Sequence, residues 1–368
     1  MIYLDHAATA PPRREVLEAM WPWLTREFGN PASHHEVGVV AKRALDEARE
    51  EVAFLLGAHP SEILFTSGGT ESDNAAVKGL AWGAGDKRHL VVSAIEHPAV
   101  LESVAWLERH GYEVTRLGVD AGGLVDPAAL GAVLRDDTAL VSIQYANNEV
   151  GTIQPLADLV PLATERGIAF HTDAVQAAGW LPLSGLGVQA LSLSGHKIGT
   201  PKGMGVLFVS GRAPFEPLLH GGGQQEDRRS GTESVAAAVG IATALRLANA
   251  AIDEHAWHVE RLRDAFITRV EALGARLSGH RSHRLPGHAS FVLPGRSGES
   301  VLVDLEARGI ICSSGSACAA GSDEPSHVLT AMGYDRETAQ SALRFTFGID
   351  TTAEDLERTV SALAGILD

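Results

Sequence analysis

Short β-branched runs alternate with helical patterns between about residues 60 and 210, and this alternation constrains the fold more than any other feature. The runs are ILFT (63–66), HLVVS (89–93), ALVSIQ (139–144), IAFHTD (168–173) and LSLS (191–194). Strands that alternate with helices form βαβ units, in which the strands are parallel and helices cover the sheet. The pattern therefore predicts an α/β fold with a mostly parallel sheet.

The pattern changes after the HGGG segment at 220–223. A long helical stretch at about 234–277 is followed by SFVLP, a helix near 299–308, IIC and ALRFTF. Helices with few strands indicate a second, smaller α+β domain. We predict a large domain over residues 11–250 and a small domain formed by residues 1–10 together with 251–368.

The net charge and the distribution of apolar residues limit the classes of function that the chain can have. The chain carries 46 acidic and 30 basic side chains, a net charge of −16, which argues against binding to nucleic-acid phosphates or to an anionic membrane surface. No apolar run approaches the roughly 20 residues of a membrane span, and the first residues lack the pattern of a secretory signal. We therefore expect a cytoplasmic protein that acts on small molecules or proteins.

Only two cysteines occur, Cys312 and Cys318. Two cysteines cannot form a disulfide framework, and their spacing fits neither a zinc site nor a CxxC redox pair. Cys312 ends an apolar run and is expected to be a small buried hydrophobe. Cys318 lies in SSGSACAAGSDEP, whose small residues cannot pack a core, so we expect it in a mobile, exposed loop from about Ser313 to Pro325.

Three loops follow predicted strands at the edge where open α/β sheets bind ligands. The first, Ser67–Ser72, precedes a helix, so its backbone N–H groups and the Thr70 hydroxyl could bind a phosphate. Ordinary turn chemistry explains the same residues equally well. The loop lacks the lysine of a nucleotide P-loop.

The second loop contains Lys197, one of only five lysines in the chain. Lys197 alone directly follows an apolar strand, where partial desolvation lowers the pKa of an amine and makes it nucleophilic. The third loop follows Asp173, a carboxylate at the end of an apolar strand, which needs a cationic partner unless it only caps the next turn. A phosphate site, an amine and a carboxylate together are the set that pyridoxal 5′-phosphate (PLP) requires.

At this point the sequence resembles the cysteine desulfurases, which are PLP enzymes of fold type I, class V aminotransferase-like. The matching motifs run along almost the whole chain: YLDHAATA (3–10), FGNPAS (28–33), FTSGGTESDN (65–74), EHPAV (96–100), NNEVG (147–151), HTDAVQAAG (171–179), SGHK (194–197), GTPKG (199–203), HGGG (220–223), RSGT (229–232) and SSGSAC (313–318). The resemblance implies a mostly parallel seven-stranded sheet in the large domain.

The resemblance also implies the roles of individual residues in cofactor binding. Lys197 is expected to bind PLP covalently, Asp173 to pair with the pyridine nitrogen and Gln176 to contact the ring hydroxyl. The remaining residues expected to bind the cofactor are Gly69, Thr70, Asn148, Ser194 and His196, with Thr232 supplied by the neighbouring subunit. A homodimer follows from that last contact.

Catalysis is implied in the same way. His97 resembles the family histidine that stacks on the ring and transfers protons. Arg344 resembles the arginine that binds the substrate carboxylate, with Asn148 beside it, and a planar guanidinium suits that bidentate contact. Cys318 corresponds to the nucleophile on the long loop of one group of the family.

The implied activity is removal of sulfur from L-cysteine, giving L-alanine and a persulfide on Cys318. The persulfide is expected to pass to a protein acceptor such as an iron–sulfur scaffold or a thiolation protein. The sequence departs from the family pattern in two places. Residues 224–229 lack the glycine usually found before RSGT, and only 24 residues follow Arg344.

Other readings of the sequence remain open. The nearest is another class V PLP enzyme, an aminotransferase or a selenocysteine lyase. A non-catalytic accessory protein of a sulfur relay is a second alternative, which the intact Lys197, Asp173, His97 and Cys318 disfavour. A metal hydrolase built on His34–His35 and 171–173 is the most distant, because these residues lack the helical i, i+4 spacing of a zinc site, and we expect no metal.

Overall fold

The computed structural model describes residues 1–250, 252–314 and 324–367. Its strands, in chain order, are β1 (Ile2–Tyr3), β2 (Ile63–Thr66), β3 (His89–Ser93), β4 (Glu113–Leu117), β5 (Thr138–Ser142), β6 (Ala169–Asp173), β7 (Ala190–Ser194), β8 (Gly205–Val209), β9 (Arg276–Ser278), β10 (His288–Val292), β11 (Ile310–Ile311) and β12 (Ala342–Thr346).

The helices are α1 (Arg14–Thr25), α2 (Glu36–Leu56), α3 (Gly69–Gly83), α4 (Pro98–Glu108), α5 (Pro127–Val133), α6 (Leu156–Thr164), α7 (Val235–Asn249), α8 (Ile252–Glu271), α9 (Gly298–Ala307), α10 (His327–Ala331), α11 (Arg336–Gln340) and α12 (Ala353–Leu367). Short 3-10 turns at Pro60–Glu62 and Gly195–Lys197 follow α2 and β7.

The main sheet has seven strands in the order β2-β8-β7-β6-β5-β3-β4. All its strands are parallel except β8, which is antiparallel to both neighbours. The predicted α/β class and mostly parallel seven-stranded sheet are therefore confirmed. The five apolar runs of the sequence form β2, β3, β5, β6 and β7.

The helices cover the two faces of this sheet because each has an apolar stripe. On one face, α1, α2, α6 and α7 share a hydrophobic core with β5, β6 and β7. On the other face, α3 and α4 pack on the sheet through residues such as Leu80 and Val104. Helix α2 ends at Gly57, which adopts the left-handed conformation (φ 65°) expected of a glycine C-cap.

A second hydrophobic core joins the start of the chain to its last third. Ile2 and Leu4 pack with side chains from α8, β10, β12 and α12, around Phe266, Phe291 and Phe345. Strand β1 pairs in parallel with β11, and β12-β10-β9 form an antiparallel sheet. The smaller α+β unit of the predicted fold is thus present, while the exact boundaries at residues 10 and 250 stay a prediction.

The helical stretch predicted at about 234–277 contains two helices and the start of β9. The stretch at 234–277 is not one helix, since α7 ends at Asn249 and α8 begins at Ile252. Among the described residues no single helix meets the length and apolarity of a bilayer span; α7 and α8, bent by 66°, meet them only as a pair.

Candidate active site

The loops that follow the parallel strands meet at one edge of the seven-stranded sheet and surround a cavity of about 660 Å³. Ten residues predicted for the site line this cavity: Gly69, Thr70, His97, Asn148, Asp173, Gln176, Ser194, His196, Lys197 and Arg344. They come from six separated segments of the chain. Thr232 is exposed and is not part of the cavity wall, and Cys318 lies outside the described residues.

One end of the cavity is formed by the turn between β2 and α3. Gly68 has φ 152°, a conformation that a residue with a side chain rarely adopts. A Cβ atom added to Gly69 would lie 3.0 Å from Val175 Cγ2 and 3.3 Å from Ser194 Cβ. Both glycines therefore bring backbone N–H groups and the start of α3 close to the cavity, an arrangement that binds phosphate.

Glu71 fixes the shape of this turn. Its carboxylate accepts hydrogen bonds from Ser67 N–H (2.8 Å) and from Arg229 Nε (2.8 Å). Burial alone would raise the pKa of Glu71, but the hydrogen bonds from Arg229 and Ser67 hold it below its ordinary value. The ion pair also ties the RSGT segment, and with it Thr232, to the turn.

Lys197 projects into the cavity from the 3-10 turn that follows β7. Its Nζ donates hydrogen bonds to the carbonyl oxygens of Ala7 and Ala8, at 2.8 Å for Ala8. The amine is half-buried, as expected for a lysine next to an apolar strand. Backbone carbonyls from the start of the chain thus orient a primary amine at the centre of the cavity.

Asp173 ends β6 and is 7% exposed. One carboxylate oxygen accepts a hydrogen bond from Val175 N–H at 2.9 Å. Burial raises the pKa of Asp173, while His97 and Lys197 oppose that effect. A carboxyl in this position becomes fully ionised when a cation lies against it, which fits a protonated ring nitrogen.

His97 is the N-cap of α4, and its Nδ1 accepts a hydrogen bond from Ala99 N–H at 3.1 Å. A neutral His97 therefore carries its proton on Nε2. Burial lowers the pKa of His97, although Asp173 opposes this. The ring is thus held neutral, with one nitrogen fixed and the other able to donate or accept a proton in the cavity.

His196 and Gln176 line the cavity on either side of Lys197. His196 Nδ1 lies 3.1 Å from Thr9 Oγ1, and burial, helped by Lys197 and Lys202, lowers its pKa to about 4. Gln176 Nε2 donates to Ala7 O at 3.1 Å. Residues 7–9 therefore orient both side chains, and the lowered pKa keeps the imidazole of His196 neutral.

Arg344, on β12, occupies another part of the cavity wall. Its Nη1 donates to Asn148 O (2.9 Å) and its Nη2 to Asp5 Oδ1 (2.7 Å). The side chain is 3% exposed, so the guanidinium is positioned by a carboxylate and a carbonyl within the protein. A planar, buried guanidinium of this kind suits recognition of a carboxylate.

Several cavity residues were not predicted, among them the charged or titratable Asp73, Glu149, His327 and Lys202. Asp73 lies on α3 within the FTSGGTESDN motif and is 1% exposed. Glu149 accepts a hydrogen bond from Ser326 Oγ at 2.5 Å, and His327 Nε2 lies 3.0 Å from Glu96 O. The motifs around Asp73, Glu149 and Lys202 were the signal in the sequence. Asp73 and Glu149 are buried, whereas His327 is half-buried and Lys202 is exposed.

Cys312 is half-buried at the edge of the smaller core. Burial, with the added effect of Asp5, raises the pKa of its thiol to about 12. At neutral pH it is therefore a protonated thiol and a poor nucleophile. The predicted mobility of the loop that carries Cys318 falls mainly on residues 315–323, which lie outside the described residues.

The comparisons with known proteins bear on this geometry. The family model described as aminotransferase class-V matches residues 2–359. The chain belongs to the class-V aminotransferase family.

Curated relatives of this class-V protein include the cysteine desulfurase IscS of Methanosarcina thermophila, 46% identical over 370 residues that cover 100% of this chain and 92% of the relative. A solved structure of a NifS-like protein has a TM-score of 0.93 and 37% identity, and covers 100% of this chain and 99% of its own. The structure of SspA in complex with cysteine has a TM-score of 0.82 and 36% identity, with coverage of 94% and 99%.

The cofactor of this class-V protein is PLP. The residues present fit that molecule. The turn at Gly68–Thr70 presents backbone N–H groups to a phosphate, Asp173 is a buried carboxyl that requires a cation, and Lys197 provides an amine between them. These three groups come from the loops after β2, β6 and β7.

Proposed function

We propose that this class-V protein is a cysteine desulfurase, which converts L-cysteine into L-alanine and transfers the sulfur to its own cysteine. The observation that carries the proposal is the meeting of Lys197, Asp173, His97 and Arg344 in one cavity. Its curated relatives, which are named cysteine desulfurases and are 40–46% identical over nearly the whole chain, support the same activity.

Cofactor binding would divide among three loops. The turn at Gly69 and Thr70, with Ser194 and His196, would hold the phosphate. Asp173 would pair with the ring nitrogen, Gln176 would contact the ring hydroxyl, and Lys197 would bind the cofactor covalently. When bound, PLP withdraws electrons from the α-carbon of the amino acid and so makes its α-proton acidic.

Substrate binding would depend on Arg344 and Asn148. The guanidinium, held by Asp5 and Asn148 O, would donate hydrogen bonds to the carboxylate of L-cysteine and fix the orientation of the substrate. Lys197 Nζ, on the same cavity, would take the α-proton. His97 Nε2 would exchange protons with the substrate sulfur or its carbon, because its Nδ1 is already bonded to Ala99.

Sulfur transfer would use Cys318. Its thiolate would attack the substrate sulfur, so an S–S bond forms, the C–S bond breaks, and the electron pair passes to the substrate carbon, which is then protonated to give L-alanine. The products balance as L-alanine and one cysteine persulfide. Cys312 is unsuited to this role because burial keeps it protonated. The persulfide would pass to a protein acceptor, such as an iron–sulfur scaffold or a thiolation protein.

A homodimer is part of the proposal. Thr232 is exposed in the single chain, and its neighbour Glu233 pairs with Arg49 of α2 at 2.9 Å, so the segment is well fixed at the surface. Several large apolar side chains near the start of the chain are also exposed: Leu17, Trp21, Leu24, Phe28, Val37, Val39 and Val40. An apolar surface of this kind is typical of a subunit interface.

The decisive experiment supplies the purified, PLP-loaded protein with L-cysteine and a thiol reductant and measures sulfide and alanine. Equal amounts of both, formed over many turnovers, are expected. 3-Mercaptopyruvate without sulfide, formed when a 2-oxo acid is added as the amino-group acceptor, would instead indicate an aminotransferase. Turnover of selenocysteine alone, supplied in a parallel assay, would indicate a selenocysteine lyase. No product from either substrate would leave only the non-catalytic accessory role.

A further inference from the structure

Three buried carboxyl groups lie near one another: Asp73 and Asp173 line the cavity, and Glu96 lies close to both. Asp73 on α3 is 1% exposed, Glu96 before α4 is fully buried, and Asp173 at the end of β6 is 7% exposed. Asp173 has a clear role toward the cofactor, but Asp73 and Glu96 have none so far. Three ionised carboxyl groups buried in one region would be strongly unfavourable, so their protonation states have to be established.

Helix α3 packs on β6 and brings Asp73 close to the strand that ends in Asp173. Asp173 and Ser192 are direct neighbours on β6 and β7, so their side chains point to the same face of the sheet, the face that α3 covers. Asp73 Oδ1 lies 3.6 Å from Nε2 of His171, which is on the same face of β6. A hydrogen bond from the Ser192 hydroxyl partly opposes the effect of burial on the pKa of Asp73. Asp73 and Asp173 also line the same cavity.

The neighbours of Asp73 give it no positive charge. His171 lies between two hydroxyl groups, with Ser142 Oγ and Ser192 Oγ each 2.9 Å from its ring nitrogens, and burial lowers its pKa to about 3. The imidazole is therefore neutral. Among the described residues Asp73 Oδ1 has no hydrogen-bond partner, which is unfavourable for a carboxylate but acceptable for an acid.

Glu96 is a second buried carboxyl group that has one oxygen without a hydrogen-bond partner among the described residues. One oxygen accepts a hydrogen bond from Gln144 N–H at 2.8 Å, whereas Oε2 has no partner among the described residues. Burial, together with the proximity of Asp173, raises the pKa of both groups well above their ordinary values. The basic groups that act on this region, His97 and Lys197, act on Asp173.

We propose that Asp73 is a positioning residue that stays protonated in the working enzyme, so that Asp173 carries the negative charge of this pair toward the cofactor ring. Two adjacent carboxylates would repel each other and would not both stay ionised. A neutral Asp73 removes this repulsion while it still fills the space under Asp173. This inference rests on the proposed PLP site and adds to it the charge state of a residue that does not touch the substrate.

Asp73→Asn is the direct test, because asparagine has nearly the shape of a protonated aspartate and cannot ionise. Infrared difference spectra of the PLP-loaded wild type minus Asp73→Asn should show loss of a carboxylic acid C=O band. Loss of carboxylate bands instead would overturn the proposal. The exposed Asp86, which follows α3, gives the matched control: Asp86→Asn should lose carboxylate bands.

The colour of the bound cofactor gives a second measurement. Asp173→Asn removes the anion that faces the ring, so the pH midpoint of the visible absorption should shift by about one unit or more. Asp73→Asn should shift this midpoint by a much smaller amount, because no charge is lost. Equal shifts in the two variants would show that Asp73 is ionised and would contradict the proposal.

Failure of a variant to fold does not remove the test. Glu96→Gln, measured at about pH 8 where water-exposed carboxyl groups are ionised, should retain the carboxylic acid band of Asp73, and a spectrum without one would reject the proposal. These measurements do not depend on turnover. If L-cysteine gave no sulfide or alanine, the proposed function would fail while the charge state of Asp73 could still be read.

Discussion

Arg344 Nη2 lies 2.7 Å from Asp5 Oδ1, although 339 residues separate them in the chain. The contact joins the start of the chain to β12 at the wall of the cavity, and both side chains are largely buried. The guanidinium that we assign to the substrate carboxylate therefore has a carboxylate partner within the protein. Asp5 would orient Arg344 and compensate its charge before the substrate binds.

Asp5→Asn tests this arrangement. Asparagine keeps an acceptor for Arg344 but removes the charge, so we expect a loss of about 1–3 kcal/mol in the free energy of unfolding. The KM for L-cysteine should rise severalfold while kcat changes less, because the guanidinium loses its fixed orientation. Urea denaturation and steady-state kinetics measure the two effects. Glu18→Gln, which breaks the exposed Arg14–Glu18 pair, should leave the free energy of unfolding nearly unchanged; a similar loss in both variants would contradict the role of Asp5.

Lys197→Ala should lose the yellow colour of covalently bound PLP while the fold persists. The reason is that, among the described residues, Lys197 is the lysine that lines the cavity and donates hydrogen bonds to Ala7 O and Ala8 O. Lys202, the other lysine on the cavity wall, provides the control. After borohydride reduction, Lys202→Ala should still carry the cofactor on Lys197, whereas a labelled lysine in Lys197→Ala would refute the assignment.

The two cysteines should respond differently to substitution. Cys318→Ala should retain its colour and bind L-cysteine but form no persulfide. Cys312→Ala should still form a persulfide, because a buried thiol with a pKa raised to about 12 does not supply a thiolate at neutral pH. Persulfide labelling followed by mass spectrometry identifies the modified residue. A persulfide on Cys312 would mean that the wrong thiol has been chosen.

His171 should make stability depend on pH. Burial lowers its pKa from 6.5 to about 3, so below 6.5 the unfolded chain binds a proton that the folded protein does not. Stability is therefore full above pH 6.5 and falls as the pH decreases, by about 2 kcal/mol at pH 5. His171→Gln should flatten this dependence in urea denaturation measured from pH 8 to pH 5. His34→Gln, at an exposed position, should leave it as in the wild type; an unchanged slope in His171→Gln would exclude the effect.

Cofactor retention should depend on association. If Thr232 reaches the phosphate of the neighbouring subunit, the fully PLP-loaded protein should sediment as a dimer at micromolar concentration. Thr232→Val should weaken PLP binding without dissociating the dimer, whereas Trp21→Asp, on the exposed face of α1, should weaken association itself. A fully loaded monomer would contradict the dimer proposal.

The cytoplasmic location expected from composition stays a prediction.

Local sequence pattern predicted the parts of the site that directly follow apolar strands. Lys197 and Asp173 could be found because strand periodicity identifies β7 and β6 and the sheet edge then places the next residues together. Asp73 could not, since a polar residue on a helix is ordinarily exposed, and its burial comes from the packing of α3 on β6 and β7. Strand β4 was missed because EVTRL, at the edge of the sheet, has only two apolar residues and no regular alternation.

The pairing of β1 with β11 has a consequence for synthesis on the ribosome. Ile2 is made 308 residues before its partner Ile310, which at 5–20 residues per second is at least about 15 seconds. During that time Asp5 lacks Arg344, and residues 2–4 lack the core that they complete. A nascent chain can fold its seven-stranded sheet early, but it acquires a complete substrate pocket only after β12 has emerged. Truncated products of this protein should therefore be inactive even when most of their sheet is intact.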